Sequence, residues 1–229
     1  MIPGTFKSAA ALTAIVFGSV FLFRFAAARG SIAAAPLPAA AVDVRSGAAS
    51  DTAVFAGGCF WGVQAVFQHV QGVSSVLSGY AGGMTNAPTY AHVNSGMSGH
   101  AESVRIAYDP RTVSYGTLLR VFFSVAHDPT TLNAQGPDHG TQYRSAIFFT
   151  SDDQRKVAES YVSQLTASRA FEQPIVTQIT PLPAFYPAED YHQNYATAHP
   201  YSPYIMINDA PKVEHLKQRM PELWQESAR

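Results

Sequence analysis

The chain has 229 residues, 47% of them hydrophobic and 14% charged, which is enough apolar material for one well-buried domain with extensions and too much for a disordered chain. Its formal net charge is −1, and beyond the first fifty residues 11 basic groups stand against 15 acidic ones. A mildly acidic body of this kind lacks the basic footprint of a nucleic-acid binder.

Lys7 precedes an uncharged run from Ser8 to Phe23, which Arg24 and alanine-rich stretches then follow. Over residues 1–33 this is the layout of a secretory signal peptide. The rival is an uncleaved anchor touching the membrane, which needs about 20 apolar residues, and Arg24 interrupts the run. Export is therefore expected, to the periplasm or to a membrane-anchored form facing outside the cytoplasm; the lack of early acids leaves an organellar transit peptide as the alternative. Residues 34–50 read as an Ala/Pro linker, and residues 51–229 as the functional domain.

From Asp51 the pattern becomes regular. TAVFA, bounded by Gly57 and Gly58, predicts a buried strand, and Phe60, Val63, Val66, Phe67 and Val70 recur at helical spacing. Val73–Tyr80 predicts a second strand, Glu102–Tyr108 a third, and Ser114–Ala126 a helix capped by Ser114. Tyr143–Thr150 is the next strand. Ser151 and Gln154 form a capping box for a helix to about Ser168, and residues 174–180 an added edge strand. The order β, α, β, β, α, β is the split βαβ signature of an α+β ferredoxin-like plait, here with an irregular C-terminal extension. Ala81–His100 and His127–Thr141 are long loops, of the kind that carry function, and the segment from Pro181 to Tyr204 is polar, aromatic and without period. These three segments are expected to meet the Cys59 turn at one end of the sheet.

Cys59 is the single cysteine of the chain, in GGCFWG at the turn from strand to helix. A structural cysteine needs no glycines before it, so the stretch reads as an exposed nucleophile, its thiolate favoured by the helix N-terminus. Phe60 and Trp61 supply an apolar wall beside the sulfur, or simply pack the helix onto the sheet. A cysteine hydrolase would pair Cys59 with a base such as His192, but no papain-type or caspase-type signature is present. A noncatalytic aromatic binding module would explain the loops and leave the glycines at the thiol unexplained. His100 and Glu102 match half of a zinc deaminase signature whose cysteine pair is missing, and the eight histidines lack zinc-site spacing, so no metal is expected.

GGCFWG, SGYAGG at Ser78–Gly83, PTY at Pro88–Tyr90, GHAE at Gly99–Glu102, YDP at Tyr108–Pro110, DHGTQYRS at Asp138–Ser145 and AEDYHQNY at Ala188–Tyr195 follow one another in an order that resembles peptide methionine sulfoxide reductase, type A. The resemblance spans about Thr52 to Asp209 and implies the same plait. It also implies roles: Cys59 as nucleophile, Glu102 as proton donor to the sulfoxide oxygen, and the Tyr90 and Tyr143 hydroxyls as holders of that oxygen. Phe60 and Trp61 would receive the methyl group, and Asp138 would fix the backbone amide of the methionine. No bound cofactor is implied. Substrates would be oxidised proteins and free methionine sulfoxide, in the S epimer, and a monomer is expected. Many family members carry a second cysteine near the C-terminus, whereas this chain reads HPYSPYIMIND there, with Tyr204 near that place. Reduction of Cys59 would then need an external thiol, either thioredoxin-like, glutaredoxin-like or small.

Overall fold

The computed structural model of the chain describes residues 36–44 and 47–226, together with Met1. Most of the expected leader or anchor at residues 1–33 therefore lies outside the described residues. Among those described, no helix is long and apolar enough to cross a membrane.

Strand β1 (Asp51–Gly57) leads through Gly58 and Cys59 into helix α1 (Phe60–Gln68), and β2 (Val73–Ala81) follows. A short helix α2 (Tyr90–Asn94), capped by Thr89, lies inside the stretch expected to be a loop. After β3 (Ala101–Tyr108) comes α3 (Tyr115–Val121), with the Ser114 hydroxyl accepting from the Thr117 N–H as its N-cap. The helix expected to run to Ala126 does continue that far, but residues Phe122–Ala126 form a π turn.

The second expected loop contains a small hairpin of β4 (Ala134–Gln135) and β5 (Asp138–His139). Strand β6 begins at Ser145 and ends at Phe149, two residues later than expected, because Thr141–Tyr143 form a 3₁₀ turn. Helix α4 (Asp152–Ala167) has the expected Ser151 cap. The added edge strand, β7 (Gln178–Pro181), runs parallel to β6.

The C-terminal extension is more regular than its sequence suggests. It adds β8 (Phe185–Pro187) to the sheet and carries the short helix α5 (Tyr195–Ala198), a π turn at Ile205–Asp209 and helix α6 (Ala210–Arg219). Helices α5 and α6 both pack against α1, and tertiary packing of this kind supplies most of a helix's stability in a folded protein.

The six-stranded sheet has the order β7-β6-β1-β3-β2-β8. Strand β3 runs antiparallel to both β1 and β2 and lies between them, while β6 pairs antiparallel with β1. This is the split βαβ arrangement of the expected plait. On the helix-bearing face Phe55, Val104, Ile106 and Ile147 join residues of α1, α3 and α4 in one buried cluster, and Val54, Ala56, Ala146 and Phe148 form a smaller one on the other face.

That topology decides where the chemistry sits. The C-terminal ends of β1 and β2 share one end of the sheet with the N-terminal ends of β3 and β6: Gly57 pairs with Ser145, and Tyr80 with Glu102. Cys59, Glu102 and Tyr143 therefore meet at that end. Glu102 also continues the alternation of Val104, Ile106 and Tyr108, so its carboxyl lies on the helix face, under the first turn of α1.

Residues 36–44, expected as part of a linker, are instead docked on the helices. Leu37 is buried, its N–H donating to Ser124 Oγ, and its carbonyl accepts from Arg120 Nε. The Pro38 carbonyl accepts from the Tyr161 hydroxyl, and Asp43 accepts from the Ser114 hydroxyl and the Gly116 N–H at the start of α3. Leu37→Ala should therefore cost about 2 kcal/mol, the low end for a buried leucine, and lower the melting temperature by roughly 4–8 °C for a domain of this size. A thermal scan that shows no shift would mean the strap does not contribute to the fold.

Candidate active site

Cys59 is the N-cap residue of α1, and Gly58 before it takes φ +88°, which a side chain would strain. The thiol is not exposed as its sequence suggests: only 8% of the residue is accessible. Burial pushes its pKa well above the ordinary thiol value, the negative charges of Glu102 and Asp209 push it further, and the Trp61 backbone N–H and Lys212 only partly oppose this. The helix N-terminus thus fails to make Cys59 a resting thiolate.

Glu102 is 2% exposed, and its Oε2 accepts from the Phe60 N–H at 3.1 Å. Burial pushes its pKa up to about 8, with Asp138 and Asp209 adding to the rise and the Phe60 hydrogen bond opposing it. A buried thiol and a buried carboxylic acid, both protonated at neutral pH, thus share the first turn of α1.

Tyr90 opens α2, where its N–H donates to Glu189 Oε1 at 2.8 Å, and the other Glu189 oxygen accepts from the Tyr80 hydroxyl at 2.7 Å. Tyr143 ends the 3₁₀ turn before β6. Both are half-buried. Burial pushes their hydroxyl pKa values up, that of Tyr90 to about 12, and the charges of Glu102 and Cys59 contribute to each. Tyr143 stands at the end of the sheet that carries Cys59 and Glu102, and Tyr90 is tied to that end through the Glu189 bridge to Tyr80 of β2.

The two aromatic residues after Cys59 separate. Phe60 is 1% exposed and packs in the core between Tyr80 and His192. Trp61 is half-buried, stacked on Tyr195 with centroids 3.8 Å apart and meeting Tyr204 edge-on at 5.9 Å. Of the two, Trp61 is the more accessible and Phe60 belongs to the core. Asp138, at the start of β5, is not free: the Tyr204 hydroxyl donates to its carboxylate. Cys59, Asp138, Tyr204 and Lys212 line a common cleft of about 500 Å³.

Several residues here carry no signal that sequence reasoning picked out. The Gln193 side chain ties Ser78 of β2 to the Ala188 carbonyl, sewing AEDYHQNY onto the sheet. Asp209 is fully buried and ion-paired with Lys212 at 3.1 Å. The pair fills the space above Gly62, where a Cβ would lie 2.1 Å from Asp209 Oδ1. That accounts for the last glycine of GGCFWG. Charges at i and i+3 are too common on helix surfaces to mark such a pair in a sequence.

The family model described as peptide methionine sulfoxide reductase matches residues 51–224. The chain belongs to that family. A peptide methionine sulfoxide reductase, MsrA 2, from Mesorhizobium japonicum is 56% identical over 185 residues, covering 81% of this chain and 95% of the relative. MsrA 2 of Synechocystis is 52% identical over 170 residues, covering 74% and 79%. The solved methionine sulfoxide reductase A of Corynebacterium diphtheriae superposes with a TM-score of 0.59 at 36% identity, over 74% of this chain and 87% of that one. Reduced Mxr1 of Saccharomyces cerevisiae does so with 0.58 at 33% identity, over 70% and 91%.

This reductase acts on methionine sulfoxide, and neither alternative from the sequence finds support. In the hydrolase reading His192 would serve Cys59, but its Nδ1 accepts from the Trp61 indole at 3.1 Å instead. The reductase has one cysteine, which is free.

Proposed function

We propose that the chain reduces methionine S-sulfoxide, protein-bound and free, by a single-cysteine cycle in which Cys59 is the nucleophile and Glu102 the acid. The observation that carries this reading is Glu102, a carboxyl buried under the first turn of α1 and held protonated to about pH 8. A carboxylic acid kept neutral at pH 7 is what proton delivery to a sulfoxide oxygen requires.

Glu102 gives its proton to the sulfoxide oxygen while the Tyr90 and Tyr143 hydroxyls hold that oxygen as charge develops. Cys59 attacks the sulfur, which the lost S–O bond order makes electrophilic. The oxygen passes to Cys59 as the methionine thioether leaves, and Glu102 recovers a proton from the thiol. Cys–SH and sulfoxide become Cys–SOH and thioether, with no atom left over. Trp61 flanks the methyl group, with Phe60 behind it. The peptide amide of the substrate takes the Asp138 carboxylate that the Tyr204 hydroxyl occupies in the free enzyme.

An external thiol then attacks Cys59 sulfenic acid through the cleft, and its proton leaves with the sulfenic hydroxyl as water when the mixed disulfide forms. A second thiol attacks the reductant's sulfur in that mixed disulfide, so that Cys59 leaves as the free thiol and the two reductant thiols end as a disulfide. The reductant is a thioredoxin-like or glutaredoxin-like protein or a small thiol, and an exported enzyme would draw it from a dedicated supply outside the cytoplasm. Preference for the S epimer follows the family.

Turnover without added thiol tests the cycle. The expected yield is one methionine per Cys59, after which a sulfenic-acid probe labels that residue. Two equivalents, or no labelling of freshly reacted protein, would exclude it.

A further inference from the structure

His192 is a buried, titratable residue that the cycle does not use, yet it touches three of the residues that do. Its ring packs on Tyr90 with centroids 4.4 Å apart and on Phe60 at 5.0 Å, and its Nδ1 lies 3.1 Å from the Trp61 indole nitrogen. An indole N–H donates and never accepts. Nδ1 must therefore be the bare nitrogen, which puts the ring proton on Nε2.

Nε2 is buried with no hydrogen-bond partner. A buried orphan donor costs roughly 1–3 kcal/mol, and a phenylalanine would fill the same space without that cost. The backbone on both sides is pinned, since the His192 N–H donates to the Glu189 carbonyl and the Gln193 side chain is bonded to Ser78. The imidazole is thus fixed by the fold at an energetic cost, and what it contributes is one acceptor aimed at Trp61.

We infer that His192 is a positioning residue for methionine sulfoxide binding: as the neutral Nε2–H tautomer it fixes the plane of the Trp61 indole and braces Tyr90 beside it. Protonation would place a second N–H on Nδ1, facing the indole N–H, and break the bond. The surroundings keep the ring neutral: burial lowers its pKa, and the Glu189 carboxylate only partly opposes this. The other titratable groups against it are the phenols of Tyr90 on α2 and of Tyr191 on its own turn. Tyr195 and Tyr204 hold Trp61 by ring packing, and the hydrogen bond to His192 adds a directional constraint on the indole that ring packing does not give.

This inference rests on the reading of Trp61 as the wall for the methyl group, and a double-mutant cycle separates the two. Trp61→Phe and His192→Phe should each raise KM for methionine sulfoxide about tenfold, with a smaller effect on kcat. In the Trp61→Phe background His192→Phe should add nothing further. His192→Asn, whose side-chain oxygen reaches the place of Nδ1, should recover part of the loss. Full additivity of the two changes, or no recovery with asparagine, would overturn the role of His192. A normal KM for Trp61→Phe would instead remove the wall and this inference with it. Should the phenylalanine variants fail to fold, hydrogen exchange in the unsubstituted protein still decides: the Trp61 indole proton should exchange slowly at pH 7 and lose protection as His192 titrates, and exchange as fast as an exposed indole would refute the bond.

Discussion

Cys59→Ser should abolish sulfoxide reduction, by roughly 10⁴-fold or more, the scale on which removal of a covalent nucleophile acts. Serine fits the buried site without strain, so the fold is expected to persist. Its hydroxyl does not ionise near neutral pH and has no sulfenic acid state, so neither the attack nor the oxygen transfer can proceed. The chain has no second thiol to substitute for Cys59. The measurement is methionine formed from the S sulfoxide with dithiothreitol in excess, alongside a melting curve. Residual turnover within a factor of ten of the unsubstituted enzyme would end the mechanism, because no other nucleophile of this kind exists in the sequence.

The same residue shows where sequence reasoning stopped. A cysteine at a helix N-cap invites the expectation of a stabilised thiolate, but the dipole effect is about 0.3–1 kcal/mol, less than one pKa unit. Desolvation moves a fully buried group by up to about 3–5 units. At 8% exposure, with the carboxylates of Glu102 and Asp209 nearby, burial wins. The sequence shows the helix terminus but hides the roof over it, because that roof comes from Tyr204 to Lys212, well over a hundred residues away along the chain. A resting neutral thiol also restrains unproductive oxidation, since reactivity toward oxidants follows thiolate character.

The strands of the plait and the caps Ser114 and Ser151 were legible because each depends on local periodicity or a local hydrogen bond. Strand β8, the β4–β5 hairpin and helix α6 were not. Three or fewer residues make each of those strands, too few to display a period of two, and α6 is held by contacts with α1 and by the buried Asp209–Lys212 pair. In the site, Glu102 was legible only through its motif: a lone glutamate at a strand start is usually a surface carboxylate. Its place in the Val104, Ile106, Tyr108 row holds the missing signal, since continuing that alternation puts residue 102 on the buried face. His192 illustrates the opposite case. Its residue type suggested a base for the cysteine, whereas its tautomer, fixed by an indole it meets 131 positions away, makes it a brace.

Glu102→Gln should slow the chemical step by roughly 10²- to 10⁴-fold, the usual contribution of a positioned general acid. Glutamine preserves the volume and an acceptor for the Phe60 N–H, so the first turn of α1 stays anchored. What it removes is the proton to be delivered. The pH profile gives the sharper test. Glu102 is the working acid only while protonated, and its pKa is held near 8 by burial, with Asp138 and Asp209 adding to the rise. The single-turnover rate of the unsubstituted enzyme should therefore be flat in its dependence on this group below about pH 7 and fall as pH rises through about 8. An ordinary carboxyl would already have lost its proton near pH 4–5. In Glu102→Gln that alkaline fall should vanish, leaving the opposite slope of Cys59 ionisation, which rises with pH because the thiol pKa lies well above its usual value. Cys59 alkylation at alkaline pH should become easier in the variant, since a negative charge that opposes thiolate formation is gone. A rate unchanged by the substitution, or an alkaline fall that survives it, would place the proton donor elsewhere.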